Sequence, residues 1–409
     1  MTSRASRAMT LFLQAASALA LAGLLGACAT GSGSTAVTGT LVEPVVLTPE
    51  QQAILDRREA REETLLQQVL TPDTAAELAL LHNPLVAGGL ETLEMLYVDR
   101  LLMAHTVSPD FNGGRPRSTM DTRIERPISV NVMSWLYGPA LDSSFTPEER
   151  LARIVAADEI GALLFAARRA WVSAVSARQT QRYYEDVVLA LEAGRDIVES
   201  MRSVGNATER EALRAQTLHA DAVAHLTTVQ VAAAVERERL IQVLGLWGPD
   251  AERVQLPYRV PDVPRTSVTP DGIEARAVAQ RYDVEAGRSA GEPGEAAVKA
   301  RADVRTAWLA YRGAYDLAMH AREALVPLAE RTSAEQLKLY NGMIIGVLDL
   351  VADAAQRINA VNAALDAERD FWLAEIELQR AMAGVGISAV APQPGVPSGF
   401  QPGASYHVH

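Results

Sequence analysis

The segment MRSVGNATEREALRAQ, residues 201–216, interrupts a long run of residues that favour helix. On both sides the chain contains almost no helix breaker, and Gly205-Asn206 stands between the two halves. A glycine costs about 1 kcal/mol inside a helix and is favoured just after a helix end. We therefore predict that a helix ending near Val204 reverses here into an antiparallel helix that runs to about Leu246.

The two helices of this predicted hairpin carry their own signals. Thr146-Pro147-Glu148-Glu149 is a typical helix start, so the first helix should run from Thr146 to Val204. On the returning helix, small apolar residues recur at spacings of three and four, which indicates coiled-coil-like packing. These residues are Ala215, Ala222, Leu226, Val229, Ala233, Leu240 and Val243.

The second half of the chain repeats this plan. A helix from about Glu295 to Tyr340 is followed by the interruption YNGMIIG, residues 340–346, and by a helix to about Ala383. Gly342 follows Gly205 at nearly the same interval at which Gly384 follows Gly245. Two hairpins of matched length indicate an internal duplication.

The predicted fold class is mainly α, with long antiparallel helical hairpins in two repeats. At most a small β element is expected near 110–137, where apolar and polar residues alternate over 128–132. The predicted domains are a signal peptide (1–27), a tether (28–47), a first repeat (48–246), a proline-rich connector (247–272), a second, shortened repeat (273–386) and a disordered tail (387–409).

The N-terminus has the pattern of a targeting segment. Arg4 and Arg7 precede an apolar run over 11–25, which ends in Leu-Gly-Ala-Cys at residues 25–28. This ending resembles the lipobox of bacterial lipoproteins, which implies acylation of Cys28 (palmitate) and, with Ala29 following, sorting to the outer membrane. The alternative is an ordinary secretory signal with an incidental cysteine. Cys28 is the single cysteine, so the chain cannot form an internal disulfide.

Composition and motifs exclude several classes of function. The formal net charge is −12 with no basic run, so nucleic acid is not an expected partner. The sequence contains no G-x-S-x-G, P-loop or H-E-x-x-H motif, so we expect no enzyme activity, no catalytic residue and no cofactor. His219 and His225 are six residues apart and would not face one ligand, so no metal site is expected.

Four short motifs occur in an informative order: AELALLHNP (76–84), SVGNAT (203–208), AVAQRYDVEA (277–286) and LYNGMIIGVLDLVADA (339–354). Together with the duplicated hairpin they resemble the TolC family of outer-membrane efflux proteins, including its lipidated members. The resemblance implies a homotrimer whose hairpins form a periplasmic tunnel and whose strands close a shared barrel.

The resemblance also implies partners and contact residues. The hairpin tips would dock a periplasmic adaptor that is tethered to the inner membrane and serves a pump, while Cys28 would hold the protein to outer-membrane lipid. The implied docking residues are Val204, Gly205, Thr208, Gly342, Met343 and Ile344.

One departure from the family leaves a second interpretation open. Only residues 283–294 separate the motif at Asp283 from the next predicted helix. Two membrane strands of about 9–11 residues each and a turn do not fit in that length. The protein could therefore be a helical periplasmic lipoprotein without a barrel, acting as a scaffold or binding partner.

Overall fold

The computed structural model describes residues 49–86, 146–267, 269, 271–281, 283–284 and 293–385. These residues are mainly helical and contain no strand, which confirms the predicted fold class. Outside the described residues lie the predicted signal peptide, Cys28, the tether, the β element near 110–137 and the tail. The domain boundaries remain predictions.

Nine α-helices have both ends within the described part of the chain. Their bounds are α1 Pro49–Leu66, α2 Pro72–His82, α3 Pro147–Ser203, α4 Glu209–Leu244, α5 Pro249–Glu252, α6 Ile273–Gln280, α7 Pro293–His320, α8 Val326–Asn341 and α9 Val347–Ala383. The 57 residues of α3 correspond to a rod about 85 Å long.

The start of α3 lies where the sequence predicts it. The Thr146 side chain accepts a hydrogen bond from the Glu149 N–H, and the Thr146 N–H donates to the Glu149 carboxylate at 2.8 Å. This reciprocal pair satisfies two backbone N–H groups that the helix itself cannot bond. The same arrangement begins α4, where Thr208 is paired with Glu211.

The predicted helix from Glu295 to Tyr340 differs from the structure in one respect. A π-helical segment, Ala321–Leu325, separates α7 from α8, and the Val326 N–H bonds to the Ala321 carbonyl. Pro327 follows immediately and has no N–H to donate to the carbonyl of Glu323. The wider π turn makes room for the proline ring, which would otherwise clash within a regular helix.

The long helices pack side by side in the order α4, α3, α9 and α7/α8. The largest core cluster lies at the end far from the helix reversals and includes Phe165, Trp171, Tyr311 and Phe371. Towards the reversals the buried clusters become smaller. Of the predicted α4 seam, the buried residues are Ala215, Ala222, Ala233 and Leu240, and the half-buried ones are Leu226, Val229 and Val243.

Within the described residues, one helix stretch (152–203 of α3) is long and apolar enough to cross a membrane by composition alone. Its apolar window is 67% buried against neighbouring helices. That degree of burial is typical of a core helix in a packed bundle.

Residues 251–267, which we call the strap, cross the helix layer and are bonded by side chains from each helix beneath them. The donors are Arg237 of α4 to the carbonyls of Ala251 and Val254, Arg178 of α3 to Leu256, Trp372 of α9 to Pro261, Arg322 of the π segment to Val263, and Tyr315 of α7 to Arg265. The strap thereby holds the layer together at one height.

Each hairpin's returning helix ends on a left-handed glycine that contacts a short helix from elsewhere in the chain. Gly245 (φ 73°) ends α4 against Asn83, and the Asn83 side-chain amide donates to the Val243 carbonyl at 2.9 Å. Gly384 (φ 75°) ends α9 against Arg281. Asn83 and Arg281 cap α2 and α6 with nearly the same extended backbone angles. The two junctions are therefore built alike.

Arg281 is the buried centre of the second junction. Its guanidinium bonds Asp283 at 2.9 and 2.5 Å, and its Nη1 lies 3.2 Å from both Asp303 and the Ala381 carbonyl. Burial lowers the pKa of Arg281, but Asp283 and Asp303 raise it by more, so the net pKa is above its ordinary value. The charge is thus fully paired inside the junction, as a buried guanidinium requires.

We expect Gly245→Ala to lower the free energy of unfolding by about 2 kcal/mol or more. A Cβ here would lie 2.7 Å from the Asn83 Cα, on a backbone that L-residues avoid. Chemical denaturation measures the change. The matched control is Gly313→Ala inside α7, where a Cβ meets open space and should stabilise the helix by about 0.5–1 kcal/mol. Equal effects of both substitutions would contradict the junction.

A carboxylate of α9 lies beneath the strap. The Gln179 amide donates to Glu368 at 3.3 Å and accepts a hydrogen bond from the Val260 N–H at 3.1 Å. Burial raises the pKa of Glu368, partly offset by Gln179 and by Arg259. A carboxylate whose pKa is higher in the folded than in the unfolded state costs stability once it ionises.

We therefore expect Glu368→Gln to raise the free energy of unfolding near neutral pH. The gain should shrink as the pH falls through the raised pKa and vanish below the ordinary glutamate pKa of about 4.3, where the wild-type side chain is protonated in both states. Denaturation at several pH values measures it, with Glu335→Gln on the exposed surface as control. A gain independent of pH would show that ionisation is not the cause.

Candidate functional site

The first helix reversal, tip 1 (residues 204–207), closes α3 with two backbone hydrogen bonds. The Asn206 N–H donates to the Met201 carbonyl at 2.8 Å, and the Gly205 N–H donates to the Arg202 carbonyl at 3.0 Å. Gly205 has φ 83°, the left-handed conformation that this closure requires. The glycine predicted to end the helix is therefore needed for its backbone freedom.

The second reversal, tip 2 (residues 342–346), has the same closure with different residues. The Ile344 N–H donates to the Leu339 carbonyl and the Met343 N–H to the Tyr340 carbonyl, both at 2.9 Å. The left-handed residue is Met343 (φ 58°), while Gly342 has φ −79°. The sequence pairs Gly205 with Gly342; the backbone angles pair it with Met343. The prediction was one residue out of register because the glycine is not where the turn needs it.

The helices that leave the two tips begin differently. Thr208 holds a capping pair with Glu211, and its N–H donates to the Glu211 carboxylate at 2.6 Å. Gly346 begins α9 with its N–H on the Asp349 carboxylate at 3.1 Å but has no side chain to return the bond. Thr208, a predicted docking residue, therefore has a structural role as the cap of α4.

The two tips lie together at one end of the molecule. The Tyr340 hydroxyl is 3.6 Å from the Met201 sulfur, which joins α8 to α3. Val347, at the start of α9, packs on a small cluster formed by Val198, Ala212 and Ala215. The six predicted docking residues are thus brought to the same end, although they come from two distant parts of the chain.

The tip surface is apolar at three positions. Met343 is 94% exposed, Ile344 72% and Val204 69%. A Cβ on Gly205 would meet nothing within 4 Å, so the backbone of tip 1 is open to approach from outside. Adjacent charges are already paired, since Arg202 bonds Glu199 and Glu209 and Lys338 bonds Glu335. The tips therefore present exposed apolar side chains beside charges that are held in ion pairs.

The described ranges offer no candidate metal centre. They hold no group of three histidine, cysteine, aspartate or glutamate residues that could bind a metal ion. The His225 ring packs against Tyr184 at a tilt, with ring centroids 4.3 Å apart, while His219 lies 3.5 Å from Arg195. The two histidines have different neighbours and do not form a shared site.

Comparison with solved structures identifies the architecture. The outer membrane protein VceC of Vibrio cholerae is similar with a TM-score of 0.52 and 12% identity, over 81% of this chain and 98% of that one. The chain has a TolC-like fold. The outer-membrane channel OprN matches equally well (0.52, 12%, 81% and 92%), and the CmeC outer membrane channel of Campylobacter jejuni similarly (0.52, 11%, 78% and 87%).

These similar structures are described as channels or membrane proteins, not as enzymes. No protein-family model matches the sequence, and neither does any curated protein. The likeness therefore lies in the arrangement of helices and not in the sequence.

The strained methionine of tip 2 was not found by sequence reasoning. Nothing in the letters YNGMIIG distinguishes a turn with glycine in the left-handed position from one with methionine there. Only the hydrogen bonds at Leu339 and Tyr340 establish the register.

We expect different responses to the same substitution at the two tip glycines. Gly205→Ala should weaken tip 1 by about 1 kcal/mol, because φ 83° disfavours a Cβ, and speed amide exchange of Asn206 about fivefold. Gly342→Ala should leave Ile344 exchange unchanged or slower, whereas Met343→Gly should slow it. If Gly342→Ala is as harmful as Gly205→Ala, the register assigned to tip 2 is wrong.

Proposed function

We propose that the protein is an outer-membrane lipoprotein of the TolC type, acting as a passive conduit in an envelope efflux system. The observation that supports this most directly is the pairing of two helical tips that expose Val204, Met343 and Ile344. The tips lie at one end of the bundle of long helices α3, α4, α7, α8 and α9, which we call the stem. The TolC-like fold, shared with outer-membrane channels, supports the same proposal.

The proposed partner of the tips is a periplasmic adaptor tethered to the inner membrane. Burying an exposed side chain of this size contributes about 1.5–3 kcal/mol, so three of them can provide a substantial part of a docking free energy. Methionine suits such a contact because its side chain adapts to an irregular surface. A non-glycine residue in the left-handed conformation costs stability, and such strain occurs most often at sites that bind a ligand or a partner.

The remaining parts of the proposal rest on the sequence. Acylation at Cys28 would anchor the protein in the outer membrane, with its body in the periplasm, and two or three acyl chains are enough for stable attachment. Three copies would surround one tunnel. The conduit would need no cofactor, because the pump reached through the adaptor would supply the energy.

A second candidate function is a scaffold without a channel. Eight residues, 285–292, lie between Val284 of the second junction and Pro293 at the start of α7. A membrane strand needs about 9–11 residues, so this length cannot supply a pair of strands. In that case the stem and tips would serve as a periplasmic binding partner and not as an exit path.

Photocross-linking in the native host tests the docking surface. With a benzoyl-phenylalanine at position 344, we expect a covalent adduct with a periplasmic adaptor, and Met343→Asp or Gly205→Asp should reduce the adduct at least tenfold, because a carboxylate buried without a partner is costly. Met343 is almost fully exposed, so its replacement should leave the stem folded.

The control is Val298→Asp, a similarly exposed apolar residue near the opposite end of the stem, which should leave the adduct unchanged. An adduct that persists in both tip variants would remove the tips from the docking surface. Native mass and single-channel conductance of the detergent-extracted protein then separate the two functions: a conducting trimer supports the conduit, and a non-conducting monomer or dimer supports the scaffold.

A further inference from the structure

Three arginines meet where the strap begins, about half-way along the stem. Arg178 of α3 donates to the Leu256 carbonyl at 3.1 Å, and Arg237 of α4 donates to the carbonyls of Val254 and Ala251 at 3.3 and 2.9 Å. The Arg182 guanidinium lies 4.0 Å above the ring of Tyr258. Three positive charges from two helices therefore converge on a few residues of the strap.

These charges have no carboxylate partner among the residues that the structure describes. Other arginines of the stem form ion pairs with acids, such as Arg168 with Asp73 and Arg369 with Asp366. Among the described residues, no acid lies within ion-pair distance of Arg178, Arg182 or Arg237. An unpaired cationic cluster is unexpected in a chain whose formal net charge is −12.

The cluster also contains an unused donor. The Arg182 Nη1 atom is buried and has no hydrogen-bond partner in the described part of the chain. A buried guanidinium N–H without an acceptor costs on the order of 1–3 kcal/mol. Burial, followed by the charges of Arg182 and Arg237, also lowers the pKa of Arg178. The arrangement as it stands is therefore electrostatically incomplete.

A purely structural role accounts for two of the three side chains. Arg178 and Arg237 bond strap carbonyls and so fasten the strap to α3 and α4. Arg182 donates no hydrogen bond to the strap; its contact is with the face of the Tyr258 ring. Stacking on an aromatic face orients a guanidinium and leaves the N–H groups along its edge available for an acceptor.

We propose that Arg178, Arg182 and Arg237 form a binding site for an oxyanion group, a carboxylate or a phosphate. Guanidinium groups bind both through paired N–H···O bonds, and an anion would supply the negative charge and the acceptor that this cluster lacks. The arginines are half-buried, and the Tyr258 ring that covers Arg182 is itself 78% exposed, so displacement of that ring would open the buried Nη1 atom to a ligand from the strap side. The site is separate from the tips and does not depend on their function.

Titration of the full-length, detergent-extracted protein tests the site. The probes are inorganic phosphate and citrate, the latter for carboxylates, each compared with sodium chloride at the same ionic strength. Thermal unfolding is followed for the wild type, for Arg182→Gln and for Arg239→Gln. Arg239 lies two residues from Arg237 on α4, but it is exposed and already paired with Glu236, so it is a matched control.

We expect one probe to raise the midpoint of wild-type unfolding in a saturable manner. The apparent dissociation constant of that probe should rise at least tenfold in Arg182→Gln and stay unchanged in Arg239→Gln. Whichever probe binds more tightly identifies the group as phosphate or carboxylate. Without either anion, Arg182→Gln should be at least as stable as the wild type, because it removes an unpaired charge.

Two results would overturn the proposal. One is a response to phosphate and citrate no greater than the response to chloride, which would indicate general screening. The other is an Arg182→Gln variant that is less stable than the wild type by the same amount at every anion concentration, which would show that Arg182 only supports the strap.

Discussion

The strap cannot satisfy its own backbone, and the rest of the structure is arranged around that constraint. Beyond the end of α5, Pro257, Pro261 and Pro264 prevent it from forming a helix, so its carbonyls need donors from elsewhere. Side chains of α4, α3, α9, the π segment and α7 provide them in turn. Each such hydrogen bond contributes only about 1 kcal/mol, but together they fix the relative heights of four long helices.

Because the strap fixes the relative positions of the long helices along their axes, it also sets where the two tips lie. A helix rises about 1.5 Å per residue, so two hairpins held level at the strap bring their reversals to a similar level. The contact of Tyr340 with Met201 and the packing of Val347 near Ala212 are then possible with little buried core. The docking surface proposed for the tips thus depends on bonds made a long way from it.

Much of the fold was predictable because it follows local rules. The capping pair at Thr146 and Glu149, the reversal at Gly205 and the final glycines Gly245 and Gly384 all act within a few residues of themselves. The apolar face of α4 was predictable for the same reason, since helical periodicity assigns residues such as Ala222 to the buried face. The π segment was missed because Pro327 allows either a kink or a wider turn, and packing selects between them.

The sequence by itself determined the helices, their reversals and their mainly α architecture, because capping, glycine backbone freedom and apolar periodicity are local properties. Only the tertiary structure decided which residues meet. It placed Met343, not Gly342, in the left-handed position of tip 2, and it set Arg178, Arg182 and Arg237 against the strap without an acid. Both outcomes depend on contacts between segments far apart in the chain, and spacing along the sequence carries no record of such contacts.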